Sequence, residues 1–594
     1  MLPHTASECY DSGQGLPGED VVSSRKRLIQ TLLVLSTVWT SAPPARATWT
    51  DDGVRIEGMN GAQFVAIRDG EGGAIVVGLG GGPDPTTGFD VQAQRIASSG
   101  VRWPGWPSSS AFLCTAERNQ LAPRAVPDGT GGAVVAWVDQ RDTLSNDIYV
   151  HRILGSGSLA PGWPVDGLPA VRGVPIEAEM TLIEDSQGGA FLIWVAGYST
   201  LRALHVVPEG VLDPAWPEDG LLLCDAPGQR SYPRGVLDGM GAAYVVWQDY
   251  ARVSGPPWGY DLYAQRFSAA GTIAPGWSPN GVAVSLAPGS QSVETVSLDA
   301  SGDLFVSWGD QRSGNLDPYA LRVRANGTTA PGWTPDGSPA LIHPAYQYSP
   351  IITPDGSGGA FVIWSDFRGP DFDVYGQHLL ADGQPDPAWP TPGLGICTAP
   401  TFQYPTCVAD GAGGLYVCWL DNRNYDVQQG DIYATHIGSN GQPIGDWPSD
   451  GLPICDTPHD QSRPQLIESL GGAIALWTEP GKDRRGGLWA MRIVADGVVA
   501  VEPSAPRMPG FSLSAPRPNP SHGALAFHVE LSVPGMARLD LVDAAGRRVR
   551  SQAVPAEAGW HAVAVDASSL RPGVYRARLV QGTRSTAVSV TIVR

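Results

Sequence analysis

The chain has 594 residues and a formal charge of −20, with 74 Gly, 53 Pro, 20 Trp and 42% hydrophobic residues. This length implies two or more domains, or one repeat array with a smaller companion. The apolar content excludes a disordered chain, and Gly and Pro spread along the whole length exclude long helical bundles. Lys occurs only at Lys26 and Lys482, so no basic stripe exists for nucleic acid or an anionic membrane surface. A loop-rich, all-β protein remains.

The N-terminus reads as an export signal. Arg25-Lys26-Arg27 precedes the apolar run 28–38, and small residues follow as far as Ala45-Arg46-Ala47. This is a basic segment, a short apolar segment and an A-x-A cleavage pattern. Residues 1–47 are therefore expected to be leader and signal peptide, with the mature chain starting at Thr48. Residues 1–24 lie upstream of the basic segment, which points to translation starting near Val21 or Val22. No other segment is long and apolar enough to span a membrane.

One unit recurs over residues 48–497. Its first half is a turn and strand, as in Asp128-Gly129-Thr130-Gly131-Gly132-Ala133-Val134-Val135-Ala136-Trp137-Val138-Asp139-Gln140-Arg141. The strand-end Trp falls at 137, 194, 247, 308, 364, 419 and 477, with Gly78 in its place in the first copy. The second half carries another Trp at 49, 106, 163, 216, 277, 333, 389 and 447. Eight copies thus share a period of about 56 residues, which accommodates four strands per unit. The last copy stops after its third strand, 488–493, and an orphan fourth-strand sequence, 49–56, precedes the first copy. The expectation is an eight-bladed β-propeller in which the mature N-terminal strand completes the last blade and removes the exposed edges.

After a Pro-rich linker, 498–510, the repeat disappears. Residues 511–594 alternate as a small antiparallel sandwich, with strands expected at 525–531, 537–542, 560–565, 573–580 and 587–593. Pro518-Asn519-Pro520, the turn ending in Gly546, and Leu570-Arg571-Pro572-Gly573-Val574-Tyr575 resemble the Ig-like type A sorting domain of type IX secretion substrates and the related FlgD-type module. The resemblance implies Pro518, Asn519, Pro520, Gly546, Gly573 and Tyr575 as the sorting motif. It also implies export across a Gram-negative outer membrane, with the domain read by the secretion machinery and then removed or used as an anchor.

The most regular polar pattern is Trp-x-Asp-x-Arg at the end of the second strand. It is complete at Asp139/Arg141, Asp310/Arg312, Asp366/Arg368 and Asp421/Arg423, and loosened at Asp249/Arg252. These pairs either lock each blade or form a polar face for a glycan or protein ligand. Calcium is the cofactor that Asp139, Asp142 and Asp147, or Asp371 and Asp373, would suit, although no calcium-loop spacing is present. The histidines give no metal signature, and no nucleophile elbow is found. Cys407 and Cys418 flank one turn and are the one pair placed for a local disulfide, while Cys114, Cys224, Cys397 and Cys455 recur at equivalent places as small buried groups, so stability is not expected to depend on a disulfide framework. The expected function is a monomeric, secreted or surface-held, non-catalytic binding or adhesion module. The alternatives are an extracellular glycan-active hydrolase or lyase, or a structural envelope component. The first, third and eighth copies break the Trp-x-Asp-x-Arg pattern, so an asymmetric site is expected there.

Overall fold

The computed structural model describes residues 49–593 apart from 50–52, 60, 62, 82–87, 143–144, 175–178, 240, 251–258, 425–429, 456, 458, 480–486, 496, 499–511, 514–515, 517–520, 522, 532–534, 544–546, 556–558 and 583. The expected signal peptide, most of the linker, Arg252, Pro518-Asn519-Pro520 and Gly546 lie outside the described residues. Among the described residues every regular element is a strand, and no helix is long and apolar enough to cross a membrane.

Among the described residues the repeat region forms eight antiparallel four-stranded sheets, seven of them with their strands in sequence order, and two of the eight with one short strand added. The second sheet, for example, runs Gln120–Pro127, Ala133–Asp139, Asn146–Ile153 and Leu168–Val174. The eighth runs Ser462–Ser469, Gly472–Glu479 and Gly487–Val494, and its fourth strand is Val54–Ile56 from the N-terminus. Val54 pairs with Ala490, Arg55 with Trp489 and Ile56 with Leu488. The expected closure by the N-terminal strand is thus observed.

The first strand of each sheet lies against the first strand of the next, and that of the eighth returns to that of the first, Phe64–Arg68. Gln465 ties this seam: its Oε1 accepts the N–H of Ala66 at 3.1 Å and its Nε2 donates to the carbonyl of Phe64 at 3.0 Å. Second strands such as Ala133–Asp139 are buried at every position, because both faces are covered by neighbouring sheets. The core is accordingly a series of layers between sheets, and the layer holding Ile474, Leu476 and Trp477 of the eighth sheet also holds Ala74 and Val76 of the first.

The second family of tryptophans explains the spacing of the blades. Each indole N–H donates to a carbonyl of the following sheet: Trp106 to Gly155, Trp163 to Pro208, Trp216 to Ala269, Trp277 to Ala325, Trp333 to Ala381, Trp389 to Ser439 and Trp447 to Ala495, at 2.7–3.0 Å. Trp49, arriving from the N-terminus, makes the closing stitch to Ser98 at 3.0 Å.

The Asp-x-x-Gly-Gly turn works through its carboxylate. Asp128 Oδ1 accepts the N–H groups of Thr130 and Gly132, both at 2.8 Å. A Cβ on Gly132 would lie 2.2 Å from the carbonyl oxygen of Ile153, so the close approach of turn and third strand requires glycine. The other Asp128 oxygen receives Arg152 at 2.9 Å.

The C-terminal region is a two-sheet sandwich. Ser512–Leu513, Ala524–Leu531 and Gly559–Asp566 form one sheet; Arg548–Val554, Ala537–Val542, Gly573–Gln581 and Arg584–Ile592 form the other. Leu525, Phe527 and Val529 face Leu539, Leu541, Leu579 and Val590 in one core. Arg548–Val554 is a strand that the alternation did not reveal.

Candidate functional site

The Trp-x-Asp-x-Arg residues come together within each blade. Asp139 Oδ2 accepts the Trp137 indole N–H at 2.8 Å, and Asp139 Oδ1 accepts both the backbone N–H and Nε of Arg141 at 2.9 and 2.8 Å. The guanidinium then donates to the carbonyl of Asp166 at 2.8 Å and lies over the Tyr149 ring at 3.9 Å. The same set recurs as Trp308/Asp310/Arg312, Trp364/Asp366/Arg368 and Trp419/Asp421/Arg423. Each of these four carboxylates is buried and engaged by an indole and a guanidinium. In the fourth sheet the guanidinium against Asp249 is that of Arg230, at 3.3 Å.

A second repeated clamp lies on the other end of the blades. Arg95, Arg152, Arg266 and Arg322 meet the turn carboxylates of Asp69, Asp128, Asp238 and Asp299, and His205, His378 and His436 take the same place against Asp185, Asp355 and Asp410. His151 sits one residue earlier than that place, on the opposite face of its strand, and stacks on Trp163. Burial pulls the His205 imidazole down, but hydrogen bonds to Asp185 and Asp213 at 3.0 and 2.8 Å outweigh it and raise its pKa.

The three pattern-breaking copies behave differently from one another. In the first, Gly78 stands against Met59, and Gly80 against the amide of Gln92. Asp90, opposite Gly80, is fully buried with neither oxygen hydrogen-bonded. Burial, then the charge of Asp166, pushes its carboxyl up to about 6. In the third, Ala196 and the exposed Tyr198 take the Asp and Arg positions. In the eighth, Glu479 takes the Asp position and accepts Thr457 Oγ1 at 3.3 Å and pairs with His459 Nδ1 at 3.2 Å.

The exposed groups with unlike surroundings converge elsewhere, across the sixth and seventh sheets, where the pattern is complete. Tyr346, Tyr348, Phe367, Phe402 and Tyr404 are 37–48% exposed. Phe372 is half-buried at their centre, its ring 4.9 Å from Phe367, 5.4 Å from Tyr348 and Phe402, and 6.0 Å from Tyr404. Tyr346 stacks on Tyr348 at 5.8 Å. Tyr348 and Tyr404 open the first strands, nearest the axis, and Ser349 beside Tyr348 holds a left-handed φ of 49° in a bulge. The carbonyl of Phe372 accepts Gln403 N–H at 2.8 Å, joining the two sheets beneath the rings.

Two carboxyls flank Phe372. Asp371 Oδ2 accepts the N–H of Thr401 at 3.0 Å. Asp373 is paired across the strands with Asp366, and no hydrogen bond or ion pair ties it among the described residues. Burial, then the charges of Asp366 and Asp371, push the Asp373 carboxyl up to about 6. Its counterparts are tied: Asp147 accepts Gly173 N–H at 2.8 Å, and Asp317 accepts His343 N–H at 3.0 Å. The sequence reading took Asp371 and Asp373 only as oxygen ligands for calcium and passed over the aromatic cluster. Its signal was an aromatic on each side of the buried strand-opening glutamine, Tyr346-Gln347-Tyr348 and Phe402-Gln403-Tyr404, in two consecutive copies only.

Among the described residues no three His, Cys, Asp or Glu side chains gather to hold a metal. Asp139, Asp147 and Asp371, named for calcium, accept the donors given above. The six described cysteines are buried and none is in a disulfide; Cys407 lies opposite Val417 and Cys418 opposite Thr406. The axial channel holds arginines: Arg124 and Arg463 line a cavity of about 350 Å³ with Gln63 and Gln465, and burial plus the like charge of Arg234 lowers the pKa of Arg124. In the sandwich, Gly573 opens a strand and the Tyr575 hydroxyl donates to the Arg571 carbonyl at 2.7 Å.

Residues 517–593 match the family model of the secretion system C-terminal sorting domain. The C-terminal domain is therefore the sorting tail of a type IX secretion substrate, which marks the chain as one handled by that secretion system and either released or held at the cell surface. Comparison with curated proteins finds no match. Among solved structures the chain is similar to the polysaccharide lyase Uly1, at 10% identity and a TM-score of 0.40 over 75% of this chain and 98% of that one. It is also similar to an α-L-arabinanase of Penicillium chrysogenum, at 12% identity and a TM-score of 0.27 over 63% and 93%. A third is the xyloglucan-locus protein GH43B of Bacteroides ovatus, at 12% identity and a TM-score of 0.23 over 71% and 91%. Likeness at this level carries no argument about substrate. The expectation of a non-catalytic binding or adhesion module is nevertheless corrected. The similar structures include polysaccharide-cleaving enzymes, and the loop face carries an exposed aromatic cluster on two sheets in addition to the repeated Asp–Arg pairs.

Proposed function

We propose that the protein is an extracellular glycan-active enzyme, a hydrolase or lyase, whose substrate lies on the loop face of the sixth and seventh sheets. The observation that supports this is the exposed aromatic cluster around Phe372. Contiguous apolar surface of this kind is kept in a soluble protein where something covers it. Ring faces suit the C–H faces of sugars, while tyrosine hydroxyls and carboxylates suit their hydroxyl groups. Asp371 and Asp373 adjoin the rings in unlike surroundings, the condition under which one carboxyl acts as acid and another as base. The Trp-x-Asp-x-Arg sets lock the blades in this reading, and the sorting tail delivers the enzyme, as a monomer, to or beyond the outer surface of a Gram-negative-type cell.

The test is incubation of the purified mature protein with a panel of neutral and acidic polysaccharides. New reducing ends without unsaturation identify a hydrolase, and unsaturated ends identify a lyase. Binding of a polysaccharide with no new chain ends under any condition overturns the enzyme reading.

A further inference from the structure

The loop face also separates the two chemistries. A lyase removes a proton beside a uronate carboxylate and needs positive charge to hold that group, whereas a glycoside hydrolase needs a proton donor at the bridging oxygen. Around Phe372 the fixed charge is negative. Asp371 and Asp373 flank the ring, and the nearest guanidinium, Arg368, is committed to Asp366 at 2.5–2.7 Å and to the Pro392 carbonyl at 2.8 Å. The arginines that would attract a uronate, Arg124, Arg234 and Arg463, stand on the second, fourth and eighth sheets instead.

We infer that the aromatic face of the sixth and seventh sheets hydrolyses a neutral glycan, with Asp373 as the proton donor and Asp371 as the base. This rests on the glycan-active reading above. The protonated Asp373 carboxyl gives its proton to the glycosidic oxygen as the bond from that oxygen to the anomeric carbon breaks, its electron pair staying on the oxygen. Water adds to the anomeric carbon and passes its proton to Asp371, and proton exchange with solvent resets the pair. Among the aspartates opening a third strand, Asp373 combines three conditions: it is half-exposed, it carries no tie among the described residues, and it adjoins the hub of the aromatic cluster. Asp90 also lacks a tie but is fully buried, beyond reach of a polymer.

The experiment compares the mature full chain with four variants on linear arabinan, mixed-linkage β-glucan and polygalacturonate. Neutral polymers are expected to yield reducing ends without unsaturation. Asp373→Asn is expected to lower kcat by about 100-fold or more and to abolish the alkaline limb of its pH profile, with the melting temperature and oligosaccharide affinity retained. Tyr404→Ala is expected to raise KM with little change in kcat. Asp317→Asn, the equivalent position in the fifth sheet, is expected to leave kcat at the wild-type value. Wild-type kcat in Asp373→Asn overturns the assignment while leaving a glycan enzyme in place. Cleavage confined to polygalacturonate and lost in Arg124→Ala overturns the neutral substrate and moves the site into the channel. Binding of a neutral polymer with no cleavage overturns the enzyme reading and this inference with it.

Discussion

Asp90 and Asp373 occupy equivalent places at the start of a third strand, and both are carboxyls pushed up to about 6, first of all by burial. A carboxyl whose folded pKa lies above its unfolded value binds its proton more tightly in the folded chain. It therefore supports folding below about pH 4 and withdraws that support as pH rises through its folded value. Asp90→Asn is expected to raise the melting temperature at pH 7.5 relative to wild type and to leave it nearly unchanged at pH 4, as calorimetry at the two pH values would show. His205 has the opposite charge type. Its raised pKa makes its clamp on Asp185 and Asp213 fully stabilising below about pH 6.5, with the contribution lost as pH rises through the folded value. Burial raises the partner carboxyls, but the His205 bond at Asp185 and the Ala215 N–H together with the His205 bond at Asp213 outweigh it and hold them down, so their contribution is lost only as pH falls below the ordinary carboxylate range. His205→Gln is therefore expected to cost more stability at pH 5.5 than at pH 8.5 in denaturant titrations. At Asp139 the issue is burial rather than titration. Asp139→Ala leaves an indole N–H and a guanidinium without their acceptor, a loss of about 3 kcal/mol in chemical denaturation.

At the scale of the element, Val54–Ile56 contributes only three residues, yet it covers the outer edge of Gly487–Val494, and Trp49 ahead of it stitches the eighth sheet to the first. Removing residues 49–56 exposes a strand edge and deletes that stitch. The expected outcome is a lower melting temperature and concentration-dependent association, read by light scattering. Trp333→Phe, which removes one stitch but keeps the ring, is expected to cost only about 1–2 kcal/mol. The closure was legible in the sequence because two tryptophans mark every copy and the counts at the two ends complement each other. Arg548–Val554 was not legible. It is an edge strand with four exposed positions among its seven, and such a strand lacks the alternation that a half-buried one must show. The aromatic cluster escaped for a different reason. Its rings stand at loop and strand-opening positions that the repeat leaves variable, so a search for what recurs passes over them, and only folding brings Tyr348, Phe372 and Phe402 together. The repeated Asp–Arg pairs drew attention by their regularity, and regularity is what a structural lock produces.

For the molecule as a whole, the sorting tail and the propeller face make separable predictions. Truncation of residues 517–593 is expected to leave the protein with the cells, whereas the full chain appears in the medium or on the cell surface; fractionation and immunoblotting read the difference. Cleavage by the truncated protein, if it folds, should equal that of the full chain, because the rings and both carboxyls belong to the repeat region. The central claim, that a neutral glycan is bound and cut on the aromatic face, is tested most directly by hydroxyl-radical footprinting of Asp373→Asn with and without a saturating neutral oligosaccharide. Protection is expected at Tyr346, Tyr348, Phe367, Phe402 and Tyr404, with Tyr198 and Tyr232, exposed on the third and fourth sheets, unchanged. Unaltered labelling of the five rings at saturation, or protection confined to Tyr198 and Tyr232, would contradict it.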